Sequence, residues 1–151
     1  MKKFQYRLQR ILKLKTTLKK QAQKELAKAQ NERLKQQAIL DNLRNELALR
    51  LNDEKNNRLN KLNVWHLEIS QGYIAQLTFL IIHQQKVVQD MEQIVEKKRQ
   101  LLVEASREER KYSRLKEIRK EEYIQDMELA LQKETDEFAK NIHLRSETAT
   151  T

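Results

Sequence analysis

The stretch from Leu77 to Leu115, LTFLIIHQQKVVQDMEQIVEKKRQLLVEASREERKYSRL, decides the fold of this 151-residue chain. Positions 77, 80, 84, 87, 91, 94, 98, 101, 105, 108, 112 and 115 step alternately by three and four, and nine of the twelve are apolar. Gln84, Lys98 and Glu108 are the interruptions. That rhythm lays a narrow apolar seam along one side of a long helix, wide enough for one partner helix and too narrow for a broad core. The chain has no proline and one glycine, so nothing in this stretch stops a helix. The reading is a coiled-coil protein with a mechanical or adaptor role.

Upstream, Phe4, Leu8, Ile11, Leu18, Ala22 and Ala29 follow the same rhythm, with Lys15 and Glu25 interrupting. The stripe then moves to Leu26, Leu40, Leu43 and Leu47, which reads as a stutter in the heptad phase. Six Asn/Asp residues lie between Asn52 and Asn63, and such side chains compete with helical backbone bonds and favour turns and caps. The expected layout is a first helix over about 3–52, a bend over about 53–63 and a second helix over about 64–142, capped by Asn63. Residues 143–151 read as a frayed tail. Neither stripe can be buried by its own helix, so the fold class expected is all-α, a long antiparallel two-helix coiled-coil hairpin forming one elongated domain over 1–151. Position i then faces roughly 117 − i along a shared coil of about 80 Å. The acidic segment 121–142 overhangs the first helix.

Composition sets limits on function. Charged residues make up 35% of the chain, above the roughly 25% usual for globular domains, and aromatics only 5%. Disorder would share the charge but not the periodic Leu, Ile and Val. There is no cysteine, hence neither disulfide nor cysteine metal site. The longest apolar run, Phe79 to Ile82, is far short of the roughly 20 residues of a membrane span. The basic amino end has no secretion-signal core, so a cytosolic protein is expected. Net charge is +9 and uneven: residues 1–40 hold twelve Lys/Arg against Glu25 and Glu32, whereas residues 121–151 hold eight acids against Lys133, Lys140 and Arg145. In a hairpin the basic amino end meets residues 97–120, with ten Lys/Arg and four Glu, and the open end becomes densely positive. Such a surface suits a partner with a negative face.

No pattern of catalytic chemistry is present. A lone glycine excludes a Gly-rich phosphate loop. His66, His83 and His143 are far apart, Ser70, Ser106 and Ser113 lack a nucleophile elbow, and the adjacent pairs Glu108–Glu109 and Glu121–Glu122 diverge on a helix. No catalytic residue, metal or cofactor is expected. One apolar cluster stands out: Tyr73, Ile74, Leu77, Phe79, Leu80, Ile81 and Ile82 wrap round the second helix just after the bend. A single seam cannot bury them all. Leu77 and Leu80 belong to the seam on this reading, leaving Tyr73, Phe79 or Ile81 for a partner.

Three motifs carry a family resemblance. Phe4-Gln5-Tyr6-Arg7-Leu8-Gln9 followed by Leu12-Lys13-Leu14-Lys15, Asn63-x-Trp65 followed by Tyr73-Ile74-x-x-Leu77, and Gln132-Lys133-x-x-Asp136-Glu137-Phe138-Ala139 resemble, in order and spacing, the flagellar type III export FliJ family. The resemblance implies a non-enzymatic stalk, similar to the central stalk subunit of rotary ATPases. Such a stalk inserts into the hexameric flagellar export ATPase, promotes its assembly, reaches the cytoplasmic domain of the membrane export gate and handles export chaperones. It implies a cytoplasmic place at the inner face of the cell membrane, peripheral through partners. Arg7, Arg10, Lys13, Arg110, Arg114 and Arg119 are then the expected contacts to the ATPase ring, and Tyr73, Ile74 and Leu77 those to the gate. The alternatives are the analogous stalk of a virulence-type secretion system and a basic coiled coil that binds nucleic acid, although no nucleic-acid module accompanies the charge.

Overall fold

The computed structural model describes residues 3–60 and 63–148, with side chains through Arg145. Two helices account for nearly all of it: α1, Gln9–Leu59, of 51 residues and α2, Val64–Thr148, of 85. They form the expected all-α hairpin, with no strand among the described residues.

The helix limits differ from those read in the sequence. α1 begins at Gln9 rather than near Lys3, because residues 3–8 form an arm whose exposure alternates residue by residue. At the other end α1 runs through the Asn-rich stretch to Leu59 instead of stopping at Asn52. Asn costs a helix well under 1 kcal/mol per residue, and neither Gly nor Pro intervenes. Arg58 reaches back one turn to Glu54 at 2.7 Å, which supports the last turn. Of the eleven residues expected to bend, 53–59 are helical, and 61–62 lie outside the described residues. Asn63 acts as the N-cap of α2, its Oδ1 accepting from the Trp65 amide at 3.4 Å. α2 continues past residue 142 to Thr148, with Arg145 in its last turn opposite the negative end of the helix dipole.

The chain divides into two compact units, Lys19–Ala105 and Met1–Leu18 with Ser106–Thr151. In the first, α1 and α2 pack antiparallel: Tyr73 meets Glu46, Gln84 meets Gln36 and Lys98 meets Glu25. The expected partners of Glu46, Gln36 and Glu25 were residues 71, 81 and 92, so the register is displaced by two to six residues. With α1 running to Leu59 and α2 starting at Val64, facing positions sum to 119–123 rather than 117.

The buried rows also correct the seam. On α2 the continuous covered row is 67, 70, 74, 77, 81, 84, 88, 91, 95, 98, 102 and 105, with 73, 85 and 87 half-buried beside it, and in the other unit 106, 108, 109, 112, 113, 115 and 116 are half-buried. Nine of the twelve expected positions are buried or half-buried, and three are one residue off. Ile81, Val88 and Val95 are inside, whereas Leu80, Ile94 and Leu101 face outward. On α1 the covered row runs 19, 22, 26, 29, 33, 36, 40, 43 and 47 without a break. The expected stutter is absent. Lys19, Arg33 and Gln36 occupy seam positions, and their polarity imitates a phase shift in the sequence. Leu40, Ile81 and Val88 form the core of this unit, with Leu43 and Leu47 against it.

In the second unit Leu12 is the buried apolar residue. The arm lies on α2, with the Phe4 ring 5.5 Å from that of Tyr123 and the Tyr6 hydroxyl donating to the Tyr112 carbonyl at 3.0 Å. Beyond Tyr123, Met127 is half-buried and residues 128–145 are exposed throughout.

Candidate functional site

The two surfaces expected to carry function fall in different units. In the unit holding the chain's amino end, Arg7, Arg10, Lys13, Arg110, Arg114 and Arg119 are all exposed. Arg114 pairs with Glu117 at 3.0 Å and Arg119 with Glu122 at 2.8 Å, each one turn along α2. Exposed pairs of this kind hold their partners by only about 0.3–0.5 kcal/mol, so both guanidinium groups can be recruited by another anion. Arg7, Arg10, Lys13 and Arg110 make no ion pair among the described residues. The positive surface therefore stays largely uncompensated.

Lys15 and Glu108 organise this surface from within. The Lys15 ammonium lies 5.9 Å from the centre of the Tyr112 ring and 3.6 Å from a Glu108 oxygen, and Lys111 approaches Glu108 at 2.6 Å. The hydrogen bond from Lys111 and its charge, with Lys15 adding to both, hold the Glu108 carboxyl below the ordinary carboxylate range. The arm closes one side of a groove of about 600 Å³, floored by Phe4, Leu8, Leu115 and Tyr123 and rimmed by Lys3 and Arg119.

Near the bend the expected gate residues take different places. Leu77 is 2% exposed and belongs to the seam. Ile74 is a half-buried seam residue. The half-buried Tyr73 hydroxyl donates to Glu46, and the Arg50 guanidinium lies 5.0 Å from the centre of its ring. The bond to the carboxylate, reinforced by partial desolvation, raises the Tyr73 pKa above its ordinary value of 10.0. Ile81, expected to await a partner, is covered by α1, and Leu80 took its outward place.

What does face outward is a different set. At 100° per residue, Trp65, Ile69 and Phe79 fall within an arc of about 80° on the side of α2 turned away from α1. Trp65 and Phe79 are each 71% exposed. Gly72 lies in the middle of that arc, and a Cβ there would meet nothing within 4 Å, so the apolar surface is dented rather than filled. Beside it, a cavity of about 460 Å³ brings together Arg50, Asp53, Glu54, His66 and Tyr73.

Sequence reasoning missed three features. The paired amides Gln36 and Gln84 meet inside the seam, Gln84 Nε2 donating to Gln36 Oε1 at 2.8 Å and to the Gln36 carbonyl at 3.0 Å. Each looks like a simple interruption until the partner across the hairpin is known. Glu46 and Arg50 hold Tyr73 from the other helix in the same way. The arm did have a signal: Phe4, Tyr6 and Leu8 alternate with Gln5 and Arg7, a period of two that marks extended chain rather than helix.

Among the described residues no group of His, Asp or Glu is arranged to hold a metal ion, and no helix is long and apolar enough to cross a membrane. Neither the curated proteins nor the solved structures offer a significant match to the chain. The sequence model of the flagellar FliJ protein does match, over residues 4–148, and so takes in both helices, the arm and the link. With almost its whole length matched, the chain belongs to the flagellar FliJ protein family and is a flagellar export-related protein.

Proposed function

We propose that the protein is a non-enzymatic stalk and adaptor of the flagellar type III export apparatus. It promotes assembly and hydrolysis of the hexameric export ATPase, links that ring to the cytoplasmic domain of the export gate, and meets export chaperones. It does so in the cytoplasm, at the inner face of the cell membrane at the flagellar base. The observation that carries the reading is the set of uncompensated cations Arg7, Arg10, Lys13 and Arg110, exposed on α2 and on the start of the chain. A self-repelling cluster contributes nothing to folding and suits an acidic partner surface. Arg114 and Arg119 join the ring contact once their intrahelical carboxylates are exchanged for those of the ring.

The gate contact belongs to the bend-proximal face. Trp65, Ile69 and Phe79 offer the apolar surface, Tyr73 and Ile74 border it, and Leu77 supports it from the seam. Titrating the purified chain into the export ATPase of the same organism, with hydrolysis rate and ring size followed together, tests the role. A saturable rise in both is expected. An unchanged rate and ring size with the helices verified by circular dichroism rules out the stalk.

A further inference from the structure

The apolar stripe of the α2 overhang is a long surface that the stalk reading leaves unused. Ile124, Met127, Leu131, Phe138 and Ile142 fall within an arc of about 60° at helical spacing, with steps of three, four, seven and four. The stripe begins where the Phe4–Tyr123 contact ends. Leu131 is 43% exposed, Phe138 72% and Ile142 65%. Met127 is half-buried, and the other four are exposed.

The charge around the stripe says what would cover it. Between residues 124 and 142 there are five acids and two lysines. Within this segment Glu128 and Glu134 border the apolar arc by helical projection, whereas Lys133 and Lys140 lie on the far side of the helix. An apolar strip with acidic margins is the complement of a helix carrying an apolar strip with basic margins. A second copy of the overhang would bring like charges together along both margins, which disfavours self-pairing. An anionic lipid surface meets the same repulsion.

We propose that residues 124–142 dock an amphipathic helix with basic margins, supplied by another protein. The surface is distinct from the cations assigned to the ATPase ring, so the two can fail separately. The test uses the full chain and two designed probe peptides with leucine at the seam positions, one with lysine and one with glutamate at the flanking positions. The lysine peptide should bind with micromolar affinity. Leu131→Glu with Phe138→Glu, both at exposed helical sites, should weaken it at least tenfold without loss of helicity, and the glutamate peptide should not bind. Equal binding to the double variant, or equal binding of both peptides, overturns the proposal. So does sedimentation showing a dimer that the same variant dissolves, since the occupant would then be a second copy.

Discussion

Leu77 and Phe79 are neighbours in sequence and opposites in the fold. Leu77, at 2% exposure, fills the seam, and Leu77→Ala should cost about 2–4 kcal/mol in thermal or denaturant unfolding followed by circular dichroism. Phe79→Ala, on the outer face, should stay within about 0.5 kcal/mol and act on gate binding alone. A comparable loss of stability in both would refute the assignment of faces. At Gly72, where a Cβ meets nothing, Gly72→Ala should stabilise the chain by about 1 kcal/mol. If the dent admits a partner's side chain, the same change weakens gate binding. Tyr73 adds a pH dependence of known sign. Its folded pKa is raised, so its bond to Glu46 contributes fully below the ordinary tyrosine range and is lost as pH climbs through the folded value. Ultraviolet titration should show one tyrosine above its usual range, returning toward it in Glu46→Gln. At this scale the sequence was ambiguous for a physical reason. Leu80 and Ile81, Val87 and Val88, and Ile94 and Val95 are adjacent apolar pairs, either member of which extends the heptad from Leu77. Only packing against α1 puts Ile81, Val88 and Val95 on the inside.

Between elements, the polar pair Gln36–Gln84 fixes what the apolar rows leave free. Leucines at seam positions tolerate sliding by a heptad, whereas two amides bonded at 2.8 Å are satisfied in one register. Gln84→Leu alone should cost about 1–2 kcal/mol, because the half-buried Gln36 Oε1 loses the donor that Gln84 supplies. Gln36→Leu with Gln84→Leu should recover most of that loss and broaden the distribution of cross-links between engineered cysteine pairs along the hairpin. Additive losses in the double-mutant cycle would deny the pair its role. The existence of both helices and of the hairpin was legible from spacing alone, as was Asn63 as the cap of α2. The limits of α1 were not. Asn and Asp favour turns by fractions of a kcal/mol, too little to stop a helix supported by Arg58–Glu54 at its end. At the other end, aromatic anchoring of Phe4 and Tyr6 on α2 outweighs local helix propensity.

For the whole chain, the decisive quantity is where the charge of +9 resides, since magnitude alone would attract any acidic surface. Two variants of equal net charge separate place from magnitude. The first carries Arg7→Glu, Arg10→Glu, Lys13→Glu and Arg110→Glu, all in the unit with the arm. The second carries Lys20→Glu, Lys24→Glu, Lys28→Glu and Lys86→Glu, all exposed and all in the other unit. Each set lowers the formal charge from +9 to +1, so long-range attraction to an acidic ring falls equally. If the exposed cations near the arm contact the ATPase directly, the first variant loses stimulation of hydrolysis by roughly tenfold or more, while the second changes mainly the rate of association. Raising the salt concentration should then reduce the association rate of the wild type toward that of the second variant, as screening shortens the reach of the field to about 8 Å near physiological ionic strength. Stimulation by the wild type should persist at that salt, because contacts closer than the screening length survive. Equal loss in both variants would reduce the cations to a diffuse attraction and leave the ring contact to be sought on the arm and its groove.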